Sequence, residues 1–190
     1  LHRRHRVSRP CASDLRRHQI RKALRPHNPD AGPCFSRRYL TSQLRFLLDT
    51  DTVSDLVRNP QGDVARMIAH HGEQSVATSV VVASELRFGA MKRGSERLTA
   101  QLNIVLGELE ILPLEPPADL RYAELRNSLE RAGTPIGPND MLIAAHARAL
   151  DLILVTGNTR EFVRVPMLSA VDWLNTPSPP DETASPDSRN

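Results

Sequence analysis

From Arg45 onward, short continuous apolar runs alternate with longer stretches in which apolar residues recur every three or four positions. Arg45-Phe46-Leu47-Leu48 ends at Asp49 and reads as a buried strand. A helix over Val53 to Val57 is expected next, with Thr50, Asp51 and Thr52 all suited to cap it and Asn59-Pro60 to close it. A second short helix fits Asp63 to His70. Val76-Ala77-Thr78 then reads as a strand, and Val80 to Lys92 as a helix that Gly94 ends. Leu98, Leu102, Val105, Leu106 and Leu109 mark an amphipathic helix, and Ile111 to Leu114 a strand that enters a proline-rich loop. Ala118 to Arg131 is the next helix. The turn Gly133 to Pro138 leads into a helix over Asn139 to Leu150, with Pro138 suited to its first turn. Ile153 to Thr156 is a continuous apolar strand, and Met167 to Ala170 a candidate for one more. Strands alternating with helices predict a three-layer α/β/α domain with a mostly parallel sheet.

Charge divides the chain at the same place as hydrophobic pattern does. Residues 1 to 44 hold 11 of the 25 Lys and Arg and 2 of the 22 Asp and Glu, a net +9, whereas residues 45 to 190 are net −6. The basic whole-chain balance therefore belongs to the leader, and a generic basic nucleic-acid surface on the body is not supported. Residues 1–44 are arginine punctuated by prolines, and disorder is expected there. The preferred reading of that segment is upstream sequence translated from a misplaced start, since no Met precedes Met67; an RNA-binding arm and a transit peptide are the alternatives. The body is assigned to residues 45–175, and the Pro/Ser/Asp-rich stretch 176–190 to an unstructured tail. Both cysteines, Cys11 and Cys34, lie in the leader, so the body has no thiol for a disulfide or a zinc-thiolate site. No run approaches the about 18 apolar residues of a membrane span. A reducing, cytoplasmic setting without membrane attachment is expected.

In an open parallel sheet, chemistry gathers beyond the carboxyl ends of the strands. Asp49 leaves the first strand, Glu85 falls in the first two turns of the helix after the second, Asp140 opens a helix through a Gly/Pro turn, and Glu161 follows the strand ending at Thr156. Any one of them alone could be a helix cap or a solvated charge. Brought together they would repel one another unless a cation intervened. Oxygen ligands without cysteine favour Mg²⁺ or Mn²⁺, which can activate water and stabilise charge at a phosphodiester.

The segments around these acids resemble the PIN-domain family, and within it the VapC-type toxins. Phe46-Leu47-Leu48-Asp49-Thr50-Asp51 is similar to the opening strand that delivers the family's first acid, and Ser84-Glu85-Leu86-Arg87-Phe88-Gly89 to the second motif. Ile136-Gly137-Pro138-Asn139-Asp140 with Ile143-Ala144-Ala145-His146-Ala147 resembles the third, and Thr156-Gly157-Asn158-Thr159-Arg160-Glu161-Phe162 the fourth. The likeness covers Arg45 to Leu174 in the family's order. Many PIN domains carry Asp where this chain has Asn158, so the fourth acid is carried to Glu161. The resemblance implies a metal-dependent endoribonuclease of a type II toxin–antitoxin pair, acting on RNA such as tRNA, covered by an antitoxin protein and usually a homodimer. Asp49, Glu85, Asp140 and Glu161 would be the catalytic and metal-holding acids, with Mg²⁺ or Mn²⁺ as cofactor. Thr50 and Asn158 would be supporting groups.

Two rival readings use the same residues. Asp49-Thr50-Asp51-Thr52-Val53 fits the D-x-D-x-[TV] nucleophile motif of haloacid-dehalogenase-like phosphatases, but the body's one lysine, Lys92, closes a helix and is not placed to steady a phosphoryl group. A PIN-like module that binds without cutting is the other rival, encouraged only by Asn158. His70-His71 is read as a solvated helix end, His146 as packing or capping, and Trp173 as a core plug. Arg87, Arg160 and Arg164 are candidates for phosphate steering or for ordinary surface pairing.

Overall fold

The computed structural model describes residues 43–175. The expectations for residues 1–42 and 176–190 lie outside the described residues. Strands β1 (Phe46–Leu48), β2 (Val76–Ser79), β3 (Glu110–Leu112), β4 (Ile153–Val155) and β5 (Ala170–Val171) alternate with helices α1 (Thr50–Arg58), α2 (Asp63–His71), α3 (Val80–Arg93), α4 (Glu96–Glu108), α5 (Ala118–Arg131), α6 (Pro138–Leu150) and α7 (Thr159–Phe162). The strands form one sheet in the order β3-β2-β1-β4-β5, parallel throughout. The fold is the expected three-layer α/β arrangement. Every residue of β1 and β2 is buried, which is why these strands read as unbroken apolar runs and not as alternating ones.

Boundaries at both ends of the body, and the surroundings of one histidine, differ from the sequence reading. The first helix starts at Thr50, and its N-cap is Asp49, whose side chain accepts from the Thr50 N–H; Thr50, Asp51 and Thr52 are its first turn. The chain passes straight from strand to helix because a carboxylate at the exit of β1 can serve the free amides itself. The last strand is Ala170–Val171, and Met167 precedes it at φ 58 with an exposed side chain. Nor is His71 a solvated helix end: its ring stacks on Trp173 at 5.3 Å and 14° and lies 4.8 Å from Phe46. Trp173 is buried, as a core plug should be.

The strand order sets where a site can form. Chain connections leave β1 towards β2 on one side, while β4 lies on its other side, so the loops after β1 and β4 diverge and leave a crevice at their carboxyl ends. Helices α1, α3 and α4 pack on one another, α5 lies along α6, and α6 also meets α3. These contacts bring the starts of α1, α3 and α6 towards that crevice.

Candidate active site

At the crevice the backbone ends of β1 and β4 are tied by side chains. Asp49 N–H and the Thr52 hydroxyl both donate to the Val155 carbonyl, each at 2.9 Å, and Thr78 donates to the Leu48 carbonyl at 2.9 Å. Paired so, the strand termini can be buried without orphan carbonyls.

Asp49 itself is 4% exposed. One carboxylate oxygen accepts from the Thr50 N–H at 2.7 Å, the other from the Thr156 hydroxyl at 2.8 Å. Burial nevertheless outweighs these bonds and, with Asp51 and Asp140 nearby, raises its pKa from 3.8 to about 6. Glu85, in the second turn of α3, is held at both oxygens: Thr50 Oγ1 donates to Oε2 at 2.6 Å and Asn139 Nδ2 to Oε1 at 2.7 Å. Asp140 sits in the first turn of α6, behind Pro138, where the helix N-terminus favours negative charge. Its carboxylate lies so close over Gly137 that a Cβ there would stand 2.7 Å from Oδ2. The Asp140 pKa is also raised to about 6, first by burial, then by Glu161, and by Glu85 and Asp51. Glu161 is in the first turn of α7.

The four acids expected from the sequence thus come into one electrostatic neighbourhood, and so does Asp51. Thr50 supports Glu85, as a group orienting an acid should. Asn158 enters through its backbone: its carbonyl accepts from Glu161 N–H at 3.1 Å, and its N–H donates to Thr156 Oγ1 at 3.0 Å. The sequence reading gave Asn139 and Thr156 no role of their own, and used Asp51 as a helix-cap candidate and in the phosphatase rival. Position beside the motif acids was their one available signal. His146 is buried in α6 with Nδ1 2.9 Å from Ser79 Oγ, the N-cap of α3, so it belongs to the packing of α6 on α3 as expected. Lys92 is exposed in the last turn of α3, opposite the end that carries Glu85, which removes the phosphatase rival's lysine from the crevice.

The donor set fits a hard divalent cation. It is made of carboxylates alone, and the mutual repulsion that raises Asp140 is what a cation would relieve. Among the described residues no three Asp, Glu, His or Cys side chains converge on a single ion position. Asp49 and Glu85 turn their oxygens to hydroxyl and amide donors instead. Thr50, Asp51 and Glu85 also line a groove of about 330 Å³ whose apolar lining includes Val57, Leu86 and Leu102.

Residues 46–168 match the PIN domain model, and that interval contains all of these acids. The chain belongs to the PIN-domain family. As a PIN domain it is similar to the tRNA(fMet)-specific endonuclease VapC of Salmonella typhimurium, at 34% identity over 131 residues, 68% of this chain and 98% of that protein. It is also similar to Ribonuclease VapC2 of Rickettsia felis, at 35% identity over 130 residues, 67% of this chain and 97% of that protein. Among solved structures, VapBC2 from Rickettsia felis bound to a DNA fragment from their promoter superposes with a TM-score of 0.65 at 32% identity, covering 68% of this chain and 99% of that one. DNA-bound VapBC from Salmonella typhimurium gives a TM-score of 0.63 at 33% identity, covering 68% and 98%. Among the described residues no helix is long and apolar enough to cross a membrane.

Proposed function

We propose that this PIN domain is a divalent-metal-dependent endoribonuclease, the toxin of a type II toxin–antitoxin pair, which hydrolyses phosphodiester bonds of RNA with tRNA as its substrate class. The observation that carries this reading is the grouping of Asp49, Glu85 and Glu161 about Asp140 at the β1/β4 crevice, where Asp140 is raised first by burial and then by Glu161 and Glu85. The relatives named as VapC ribonucleases support the RNA substrate, and the VapBC complexes support an antitoxin partner. A homodimer in the cytoplasm, where tRNA is found, completes the proposal.

In this mechanism Asp49, Glu85 and Asp140, with Glu161, would hold Mg²⁺ or Mn²⁺. The bound ion supplies charge neutralisation at phosphorus and acidifies an attacking water. Thr50 and Asn139 hold both oxygens of Glu85, and Thr156 holds one of Asp49, so these acids are oriented before substrate arrives. One of these carboxylates would take the proton from the attacking water; in the metal-free site Asp140 is raised towards neutrality, first by burial and then by Glu161. The groove beside Glu85 offers apolar surface on which a base of the bound RNA can rest.

The test is incubation of total RNA with the purified chain, with Mg²⁺ or Mn²⁺, with chelator, and with Asp49→Asn or Asp140→Asn. Discrete fragments that vanish with chelator and with either variant are expected. A wild type that neither cuts RNA nor binds either ion would overturn the reading and leave a PIN module that binds without cutting.

A further inference from the structure

The loop between β4 and α7 carries Asn158 and leads to Glu161, and it is held at two adjacent points. Thr156 donates to Asp49 Oδ2, and Gly157 N–H donates to Asp51 Oδ2 at 2.7 Å. The second contact is a close approach of backbone to carboxylate. A Cβ at residue 157 would stand 2.8 Å from Asp51 Oδ2 and 2.6 Å from Leu174 Cδ1, so the loop reaches Asp51 only because residue 157 is glycine. The other Asp51 oxygen accepts from its neighbour's amide, Thr52 N–H, at 2.7 Å, which fixes the carboxylate's orientation on the first turn of α1. Glu161 lies three residues beyond Asn158 and has its own N–H bonded to the Asn158 carbonyl. Displacing Gly157 therefore displaces the start of α7, and with it the acid that meets Asp140.

We propose that Asp51 is a positioning residue, whose carboxylate holds the β4–α7 loop where Glu161 reaches Asp140. This rests on the nuclease reading for its consequence in catalysis, but the clamp itself is a property of the loop. What the role requires of residue 51 is an oxygen acceptor of the right length. Asn keeps one of the two acceptors, enough for Gly157 N–H but not for Thr52 N–H as well, so it retains part of the clamp without the charge.

Three variants of the full chain test it: Asp51→Asn, Asp51→Ala and Gly157→Ala. Each is measured by amide hydrogen exchange over residues 156–162, by Mn²⁺ titration calorimetry, and by RNA cleavage split into kcat and KM. Asp51→Ala and Gly157→Ala are expected to speed exchange in that loop and to weaken Mn²⁺ affinity or kcat by about 10–100-fold, as loss of a group that orients metal ligands does. Asp51→Asn, which keeps one acceptor of two, is expected to fall between wild type and Asp51→Ala in all three. Loop exchange in Asp51→Asn as slow as in wild type, together with Mn²⁺ affinity as weak as in Asp51→Ala, would overturn the proposal in favour of Asp51 acting through its charge. Unchanged loop exchange in Asp51→Ala would overturn it outright. Exchange and Mn²⁺ binding report the clamp even if the wild type cuts no RNA, so failure of the nuclease reading and failure of this one are distinguishable.

Discussion

Thr156 donates its hydroxyl to Asp49 at 2.8 Å across 107 residues of chain, joining the end of β4 to the end of β1. Both residues are buried, so this bond offsets part of the cost of placing a carboxylate where water cannot reach it. Replacing Thr156 by Val keeps the shape and removes the donor. Thr156→Val is expected to lower folding stability by about 1–3 kcal/mol, read from denaturant midpoints at pH 7, because a buried oxygen is left without its partner. It should also move the acid limb of the pH–rate profile upward, since the Thr156 bond lowers the Asp49 pKa. A profile identical to wild type would show that Asp49 does not govern that limb.

Asp49 makes a second prediction, about stability in the absence of metal. Its pKa in the folded chain is about 6 against an ordinary 3.8, so between those values the folded state binds the proton more tightly than the unfolded state does. The group therefore destabilises the fold progressively as pH rises from about 4 to about 6, and fully above that. Asp49→Asn removes the titration. In chelator the variant is expected to be more stable than wild type at pH 7, by on the order of 3 kcal/mol, with the difference shrinking to a few tenths near pH 4. Comparing the two proteins isolates Asp49 from His146, whose buried imidazole is lowered and acts in the opposite direction as pH falls below 6.5. Melting temperatures measured from pH 4 to 8 check this. A difference that does not change with pH would refute it, and added Mn²⁺ should stabilise wild type alone.

Asn139 carries the third. It is exposed, and its amide reaches Glu85 at 2.7 Å. Asn139→Ala is expected to leave the melting temperature nearly unchanged while weakening Mn²⁺ affinity about 10-fold, because the freed Glu85 carboxylate samples more orientations. Calorimetry with Mn²⁺ and a thermal melt on the same sample separate the two effects. Equal Mn²⁺ affinity in variant and wild type would remove Asn139 from the site.

How much of this was legible beforehand depended on the range of the interaction. The apolar runs at Phe46–Leu48 and Ile153–Val155 announced buried strands, and the leucine spacing from Leu98 to Leu109 announced the face of α4. Burial of a local stretch leaves a local period, and a period can be read along the chain. The motif acids Asp49, Glu85, Asp140 and Glu161 were likewise visible, each beside a strand exit or a helix start. The pairings were not visible. That Asn139 serves Glu85, that His71 stacks on Trp173, and that Asp51 touches Gly157 are contacts set by how distant elements pack together. Asp51 and Gly157 are 106 residues apart and share no periodicity. They become neighbours because β1 and β4 lie side by side in a parallel sheet, whose register brings the two strand exits level. The sequence alone determined which segments would be buried and which acids were available. The tertiary structure decided which oxygen faces which donor, because a hydrogen bond needs its partners within about 3 Å and only the assembled sheet sets that distance.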